Sequence, residues 1–284
     1  MHIVILDEVA LNDEQKDRLR ALGKVTDYET NPGSTEEALE RLKDAEIAVL
    51  GWTQLDADAL NKLPHLKMIS IWATGYNYVD IEAAREQGII VANVPGYAGT
   101  AVAELVFCLM MALCRQLIPA DKSVRAGEYS WQNFQGTELR GKTIGVIGVG
   151  HIGSQVVKLA KSFGLKVLAV ARDTSSRRAD LLEVNFVDLP TLLKESDFVT
   201  LQVPLSKETV GMLGTKEFAM MKPTAYFVSV TRDTVIDQSA LRTALQENII
   251  AGAALDEIAF PDDELAELPN VILTPHIGFF TKEA

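Results

Sequence analysis

Cysteine is nearly absent from this chain: only Cys108 and Cys114 occur in 284 residues. That scarcity excludes a disulfide framework and a cysteine-built metal site. The two lie six apart in one apolar helical stretch, on different faces, so both read as small core residues in a reducing, cytoplasmic setting. Positive charge is also scarce, with 27 Lys and Arg against 39 Asp and Glu for a net charge of -12. A phosphate backbone is met by clustered cations, so nucleic acid is excluded as the main partner. Long apolar runs are missing too. The most apolar segment, Leu105 to Cys114, falls short of the roughly 20 residues that span a bilayer and reads as a buried helix. The start, Met1-His-Ile-Val-Ile-Leu-Asp7, shows no basic region or cleavage site, so neither export nor a membrane partner is expected.

What is present is a large apolar share, 48% of residues, in a chain longer than one ordinary domain. The first 94 residues alternate short apolar runs with polar amphipathic segments. Strands are expected near His2 to Leu6, Val25 to Tyr28, Ile47 to Leu50, Met68 to Trp72 and Ile89 to Val94. Pro95-Gly96 marks a hinge, and a long helix over about Thr100 to Gln116 leads into a polar stretch containing Trp131 and Phe134. A second alternating series follows. Its strands are Thr143 to Ile147, Lys166 to Val170, Phe198 to Val203, Ala225 to Val230, Ile250 to Leu255 and Val271 to Thr274. The pattern predicts two α/β domains with parallel sheets, the second with the six strands of a full dinucleotide-binding sheet.

The second series opens on Thr143-Ile-Gly-Val-Ile-Gly148-Val-Gly150-His-Ile-Gly153, a strand, a glycine turn and a helix start in succession. Gly148 permits the tight turn, Gly150 lets the backbone approach phosphate oxygens, and Gly153 lets the helix pack close to its strand. Free N–H groups at His151 and Ile152 then face the pyrophosphate with the positive end of the helix dipole. An acidic residue at the end of the next strand normally accepts the ribose hydroxyls of NAD, but Ala171-Arg172 stands there. Arg172, followed by Ser175, Ser176, Arg177 and Arg178, suits a 2′-phosphate, so NADP(H) is favoured and NAD(H) stays open, with Asp173 neutralising part of the field.

Strand ends in a doubly wound sheet share one ligand-binding edge. Three strands of the second series run into Thr231-Arg232, Asp256 and His276. Arg232 can clamp a carboxylate and polarise a carbonyl, and His276 can exchange an alcohol proton while hydride passes to or from a nicotinamide. This set suits an oxidoreductase acting on a small 2-keto or 2-hydroxy acid.

Taken together these residues resemble the D-isomer-specific 2-hydroxyacid dehydrogenase family, nearest its glycerate dehydrogenase and hydroxypyruvate/glyoxylate reductase branch. The resemblance rests on Ala73-Thr-Gly-Tyr-Asn-Tyr-Val-Asp80, Asn93-Val-Pro-Gly96, Ala103-Glu104, the Gly148 turn, Val203-Pro-Leu205, the Arg232 segment with Val235-Ile-Asp237, Ala254-Leu-Asp256 and Leu273-Thr-Pro-His-Ile-Gly278. It implies a Rossmann dinucleotide-binding domain, residues 96–276, inserted into a flavodoxin-like substrate domain, residues 1–95 plus 277–284. It also implies that backbone N–H groups around Thr74 and Gly75 hold the substrate carboxylate, that Arg232 binds carboxylate and carbonyl, and that His276 is the acid/base. Val203, Pro204 and Thr231 fall in the cofactor-binding set, and Asp256 holds the nicotinamide carboxamide. The long helix and the Trp131 stretch imply a homodimer.

The chain departs from the family pattern at several points. Gln202 stands where His is common, Ser229 where Asn is common and Asp233 where Gly is usual. Counting from Asp256, Ala259 occupies the place of a Glu that hydrogen-bonds the acid/base histidine. Its loss is expected to push reduction toward lower pH unless Glu257, Asp233 or Asp262 takes over. These departures leave open an alternative: a dinucleotide-sensing protein of the same fold with little or no catalysis.

Overall fold

The computed structural model describes residues 1–258 and 262–284, with the side chains of Ser176 and Asp263 outside that description. The chain divides into two units, Met1–Tyr97 and Ala98–Ala284, one residue past the Pro95-Gly96 pair. In the first unit five parallel strands, β1 (His2–Ile5), β2 (Lys24–Asp27), β3 (Ile47–Leu50), β4 (Met68–Ile71) and β5 (Ile90–Ala92), form a sheet of order β2-β1-β3-β4-β5. This is the flavodoxin-like order. Strand side chains alternate between its faces. Val4, Leu6, Ala48, Leu50, Ile69 and Ile71 meet Ala38, Leu42, Ala59, Leu60 and Ala84 of three helices. Ile3, Ile5 and Val49 turn the other way, toward Leu11, Leu19 and Val25. The helices start where the sequence supplies caps: Asn12, Ser34, Asp56 and Asp80 each accept a backbone N–H of the first turn.

The second unit holds a seven-stranded parallel sheet, one strand more than the sequence pattern suggests. Its strands are β6 (Thr143–Ile147), β7 (Lys166–Val170), β8 (Asn185–Phe186), β9 (Phe198–Leu201), β10 (Tyr226–Ser229), β11 (Gly252–Leu255) and β12 (Val271–Leu273). The additional strand is β8, whose two residues are too few for a periodicity to register. The order β12-β11-β10-β9-β6-β7-β8 reverses direction between β6 and β9, the switch point of a Rossmann sheet. One face is covered by the helices Gly99–Cys114 and His151–Ser162 through Ala103, Val106, Phe107, Met110, Val156, Val157 and Ala160. The other packs Val199, Leu201, Phe227 and Leu255 against Leu192, Leu193, Leu241 and Leu245.

One core assignment is corrected. Cys114 is buried, but Cys108 is exposed. It falls on the stripe Thr100, Glu104, Cys108, spaced by one helical turn, that the helix Gly99–Cys114 turns away from its sheet. Among the described residues no single helix is long and apolar enough to cross a membrane.

Candidate active site

The glycine turn lies at the switch point, between the carboxyl ends of β6 and β9. Gly148 has φ +91°, and a Cβ there would come within 2.6 Å of the Gln202 carbonyl oxygen. A side chain at Gly153 would overlap the Gly148 carbonyl, so helix and turn pack at a separation only glycine allows. Gly150 differs. Open space surrounds its missing Cβ, and as N-cap of the helix His151–Ser162 it makes no side-chain cap. The first N–H groups of that helix therefore open onto a bare cradle. Beside it Val203 packs against Gly148, and Gln202 donates to Thr200 Oγ1 at 2.9 Å while its buried Oε1 has no hydrogen-bond partner among the described residues. The cradle and this orphaned acceptor fit a nicotinamide dinucleotide bound over the turn.

After β7, Arg172 is exposed and Asp173 accepts the Ser175 N–H at 3.0 Å. That hydrogen bond holds the Asp173 carboxyl below the usual carboxylate range. Arg178 lies 3.8 Å from Asp173 and donates to the Val149 carbonyl within the glycine turn. Asp173 thus spends its charge on Ser175 and Arg178, and the Ser176 side chain lies outside the described residues.

At the other side of the same edge, Arg232, Glu257 and His276 come together. Arg232 donates to Glu257 Oε2 at 2.9 Å, and His276 Nδ1 lies 3.4 Å from that same oxygen. The Arg232 and Glu257 side chains are largely withdrawn from water, whereas His276 keeps 37% of its side chain exposed. Burial pushes the Glu257 carboxyl above its ordinary range, against the opposing pull of Arg232 and His276. Ala259, the expected gap, lies outside the described residues. Of the three acids named as replacements, Glu257 is the one beside His276. Asp233 accepts the Thr234 N–H at 2.6 Å, and Asp262 caps the helix Asp263–Ala266 through Leu265 and pairs with Arg242 at 3.6 Å.

Asp256, only 2% exposed, does something else. Its Oδ1 accepts Thr274 Oγ1 at 2.6 Å and the Ile277 N–H at 2.9 Å, and its Oδ2 accepts the Gly278 N–H at 2.8 Å. Its carbonyl accepts the His276 N–H at 2.7 Å. His276 itself sits at φ +56°, a left-handed conformation that costs a non-glycine residue about 1 to 2 kcal/mol. Asp256 pins the turn on both sides of it. The Phe279 ring then meets the imidazole edge-on at 5.6 Å.

Thr231 follows β10, its N–H 3.4 Å from Ser229 Oγ, and the Pro204 carbonyl accepts Thr209 Oγ1 at 2.7 Å. Thr74 and Gly75 belong to the first unit, in the loop after β4. There Thr74 Oγ1 donates to the Val94 carbonyl at 2.8 Å, and Asn93 Nδ2 donates to the Thr74 carbonyl at 2.7 Å. Sequence reasoning left Glu257 as one of three choices and missed Phe279. The signal for the first was alternation: successive side chains at a strand end point opposite ways, so an inward Asp256 sends Glu257 to the other side. Phe279 offered none beyond its nearness to His276 in the chain.

A Rossmann sheet whose edge joins a pyrophosphate cradle to an arginine, a carboxylate and an imidazole defines a nicotinamide-dependent oxidoreductase. The comparisons with known proteins specify which. Residues 107–278 match the model of the D-isomer specific 2-hydroxyacid dehydrogenase NAD-binding domain. A glyoxylate reductase of Thermococcus litoralis is 42% identical over 257 residues, covering 87% of this chain and 78% of its own length. An acyclic imino acid reductase solved with NADPH and D-Arg superposes with a TM-score of 0.93 at 32% identity, covering 100% of this chain and 92% of that one. The D-lactate dehydrogenase of Aquifex aeolicus, solved with NAD and lactic acid, gives 0.89 at 28% identity, covering 100% and 90%. The chain belongs to the D-isomer-specific 2-hydroxyacid dehydrogenase family and is an NAD(P)-dependent enzyme acting on CH–OH donors. The alternative of a non-catalytic sensor is not favoured.

Proposed function

We propose that this enzyme reduces a small 2-keto acid, glyoxylate or hydroxypyruvate foremost, with NADPH preferred over NADH. The observation that carries the proposal is the Arg232–Glu257–His276 cluster on the edge that holds the glycine cradle. The bound dinucleotide supplies a hydride to the keto carbon. Arg232 holds the substrate carboxylate and polarises the carbonyl, with backbone N–H groups of Thr74 and Gly75 as further carboxylate donors. With Nδ1 facing Glu257, the His276 Nε2 gives its proton to the forming alcohol oxygen. Glu257 orients the imidazole and balances its charge, replacing the acid that Ala259 lacks. The N–H groups at Gly150, His151 and Ile152 hold the pyrophosphate, and Val203, Pro204 and Thr231 line the nicotinamide side. Three donors engage the Asp256 carboxylate, so its first task is the His276 turn, and Oδ2 keeps one acceptor position for the carboxamide.

The NADPH preference rests on Ala171-Arg172 in place of an acid, and on an Asp173 whose charge is already engaged. Glyoxylate is favoured by the name of the Thermococcus relative, and NADPH by the ligand of the imino acid reductase. We further propose a cytoplasmic homodimer joined through the long helix and the segment whose Tyr129 and Trp131 stand exposed. Sedimentation analysis tests the dimer, which Trp131→Asp should split. NADPH oxidation against glyoxylate, hydroxypyruvate and pyruvate tests the reaction, and repetition with NADH tests the cofactor. Turnover with a higher kcat/KM for NADPH, abolished as a preference by Arg172→Ala, is the expected result. Absence of turnover on every acid rejects the reaction, and an equal or higher kcat/KM with NADH rejects the cofactor assignment.

A further inference from the structure

The first unit contains a buried carboxylate that the proposed reaction does not use. Asp7, just past β1, is 0% exposed. Its Oδ2 accepts three consecutive backbone N–H groups, Gly51 at 2.7 Å, Trp52 at 2.8 Å and Thr53 at 3.1 Å, and its Oδ1 accepts the Thr53 hydroxyl. The loop after β3 is thereby wrapped around one oxygen. Gly51 makes this approach feasible, since a Cβ there would come within 3.0 Å of Val9 and 3.3 Å of the Asp7 side chain. Isolated backbone donors buried without partners are costly, so such a loop has one low-energy arrangement while Asp7 is present.

That loop is in turn the support of the next. The Leu55 N–H donates to the Tyr78 carbonyl at 2.7 Å, and the Asp80 N–H donates to the Leu55 carbonyl at 3.0 Å. The Trp52 and Tyr78 rings meet edge-to-face at 6.3 Å. The second loop, 73–79, carries Thr74 and Gly75. Its other end is fastened by Thr74 and Asn93 to the segment after β5. We propose that Asp7 is a positioning residue for the substrate: through the Gly51–Thr53 loop it fixes the height and orientation of the Thr74–Gly75 backbone, and so sets affinity for the 2-keto acid. The inference rests on the proposed carboxylate role of Thr74 and Gly75. Asp7 touches neither substrate nor cofactor, and its effect is confined to substrate affinity, because the cradle and the Arg232–Glu257–His276 cluster belong to the other unit.

The test uses the full-length protein, Asp7→Ala and Asp7→Asn. In Asn the side-chain oxygen can still take the three N–H groups and the amide can donate to Thr53, so it is the conservative replacement. Expected for Asp7→Ala is a KM for glyoxylate raised about tenfold or more, with kcat and the NADPH dissociation constant within about twofold. Asp7→Asn should bring KM back to within about threefold of the unmodified protein. Hydrogen exchange followed by mass spectrometry supplies a readout independent of activity. Asp7→Ala should raise exchange both in peptides covering 51–55 and in those covering 73–80, while peptides over 143–153 stay unchanged. An unaltered KM in Asp7→Ala overturns the proposal, as does faster exchange limited to 51–55. If Asp7→Ala does not fold, Asp7→Ser, whose hydroxyl is too short to take all three N–H groups, decides by the same two measurements: no change in KM and none in exchange over 73–80 overturns it. Failure of the unmodified protein to reduce any 2-keto acid is a separate result. It removes the assigned substrate, whereas the exchange experiment still reports whether Asp7 holds the Thr74 loop.

Discussion

The same dipeptide, Asp-Glu, follows a strand in each unit: Asp7-Glu8 after β1 and Asp256-Glu257 after β11. Both aspartates are buried, and both spend their carboxylates on backbone N–H groups of a neighbouring loop. The glutamates part company. Glu8 is exposed, its backbone N–H donating to Asn31, whereas Glu257 lies between Arg232 and His276. What separates them is supplied by the adjacent strands. β1 has as its neighbour β3, which runs into Gly51, Trp52 and Thr53, a source of neutral donors. β11 is flanked by β10 and β12, which run into Arg232 and His276. A carboxylate at a strand end becomes chemical only when sheet order brings charge to both sides of it.

The sharpest way to break this comparison is to neutralise each glutamate. Glu257→Gln should lower kcat for keto-acid reduction by about a hundredfold or more, since it removes the charge that orients and balances the imidazole. Glu8→Gln should leave kcat and KM within about twofold, as for an exposed side chain away from the chemistry. Steady-state kinetics on both variants decides it. A Glu257→Gln enzyme with near-normal kcat would mean that Glu257 is only a structural partner of Arg232.

Neutralising the aspartates instead should affect folding. Asp256→Ala strands two backbone N–H groups and the Thr274 hydroxyl around a left-handed His276, a loss of about 3 kcal/mol in unfolding free energy. Urea denaturation measures it. The same variant should lose activity beyond what a marginally less stable protein loses, because His276 would relax out of its turn. A drop in stability with unchanged kcat would show that Phe279 and the flanking chain hold the imidazole without Asp256.

Much of this arrangement was legible in the chain. Apart from β8, the strands of both sheets follow from apolar runs whose length and spacing the parallel order demands, and Gly148 and Gly153 announced the turn because glycine alone meets their steric demands, with Gly150 leaving the cradle open. Arg232 and His276 were visible as titratable residues at strand ends, because parallel connections bring every carboxyl end to one edge. Cys108 was misplaced because an apolar helix sixteen residues long still has an outward stripe, and composition does not tell which residues form it. The choice among Glu257, Asp233 and Asp262 lay beyond the sequence as well. It depends on which carboxylates are already spent on caps and turns, and Asp262 and Asp233 are. Asp7 was silent for the same reason: its donors come from a loop more than forty residues away.

The smallest effect separating the two pairs lies in the pH dependence of stability. Burial raises the Glu257 carboxyl above its unfolded value, so the folded protein holds that proton more tightly than the unfolded chain does. The stability this proton contributes is fully present below the unfolded carboxylate value and is lost as pH rises through the higher folded one. Arg232 and His276 oppose the shift and Asp233 adds to it, and the window runs upward from the ordinary carboxylate range. Replacing the acid with a neutral isostere removes the coupling. The unfolding free energy of Glu257→Gln, measured by urea titration at a series of pH values, should therefore decline less across that window than that of the unmodified protein. A Glu257→Gln curve that instead runs parallel to the unmodified one would mean that Arg232 and His276 fully offset the burial.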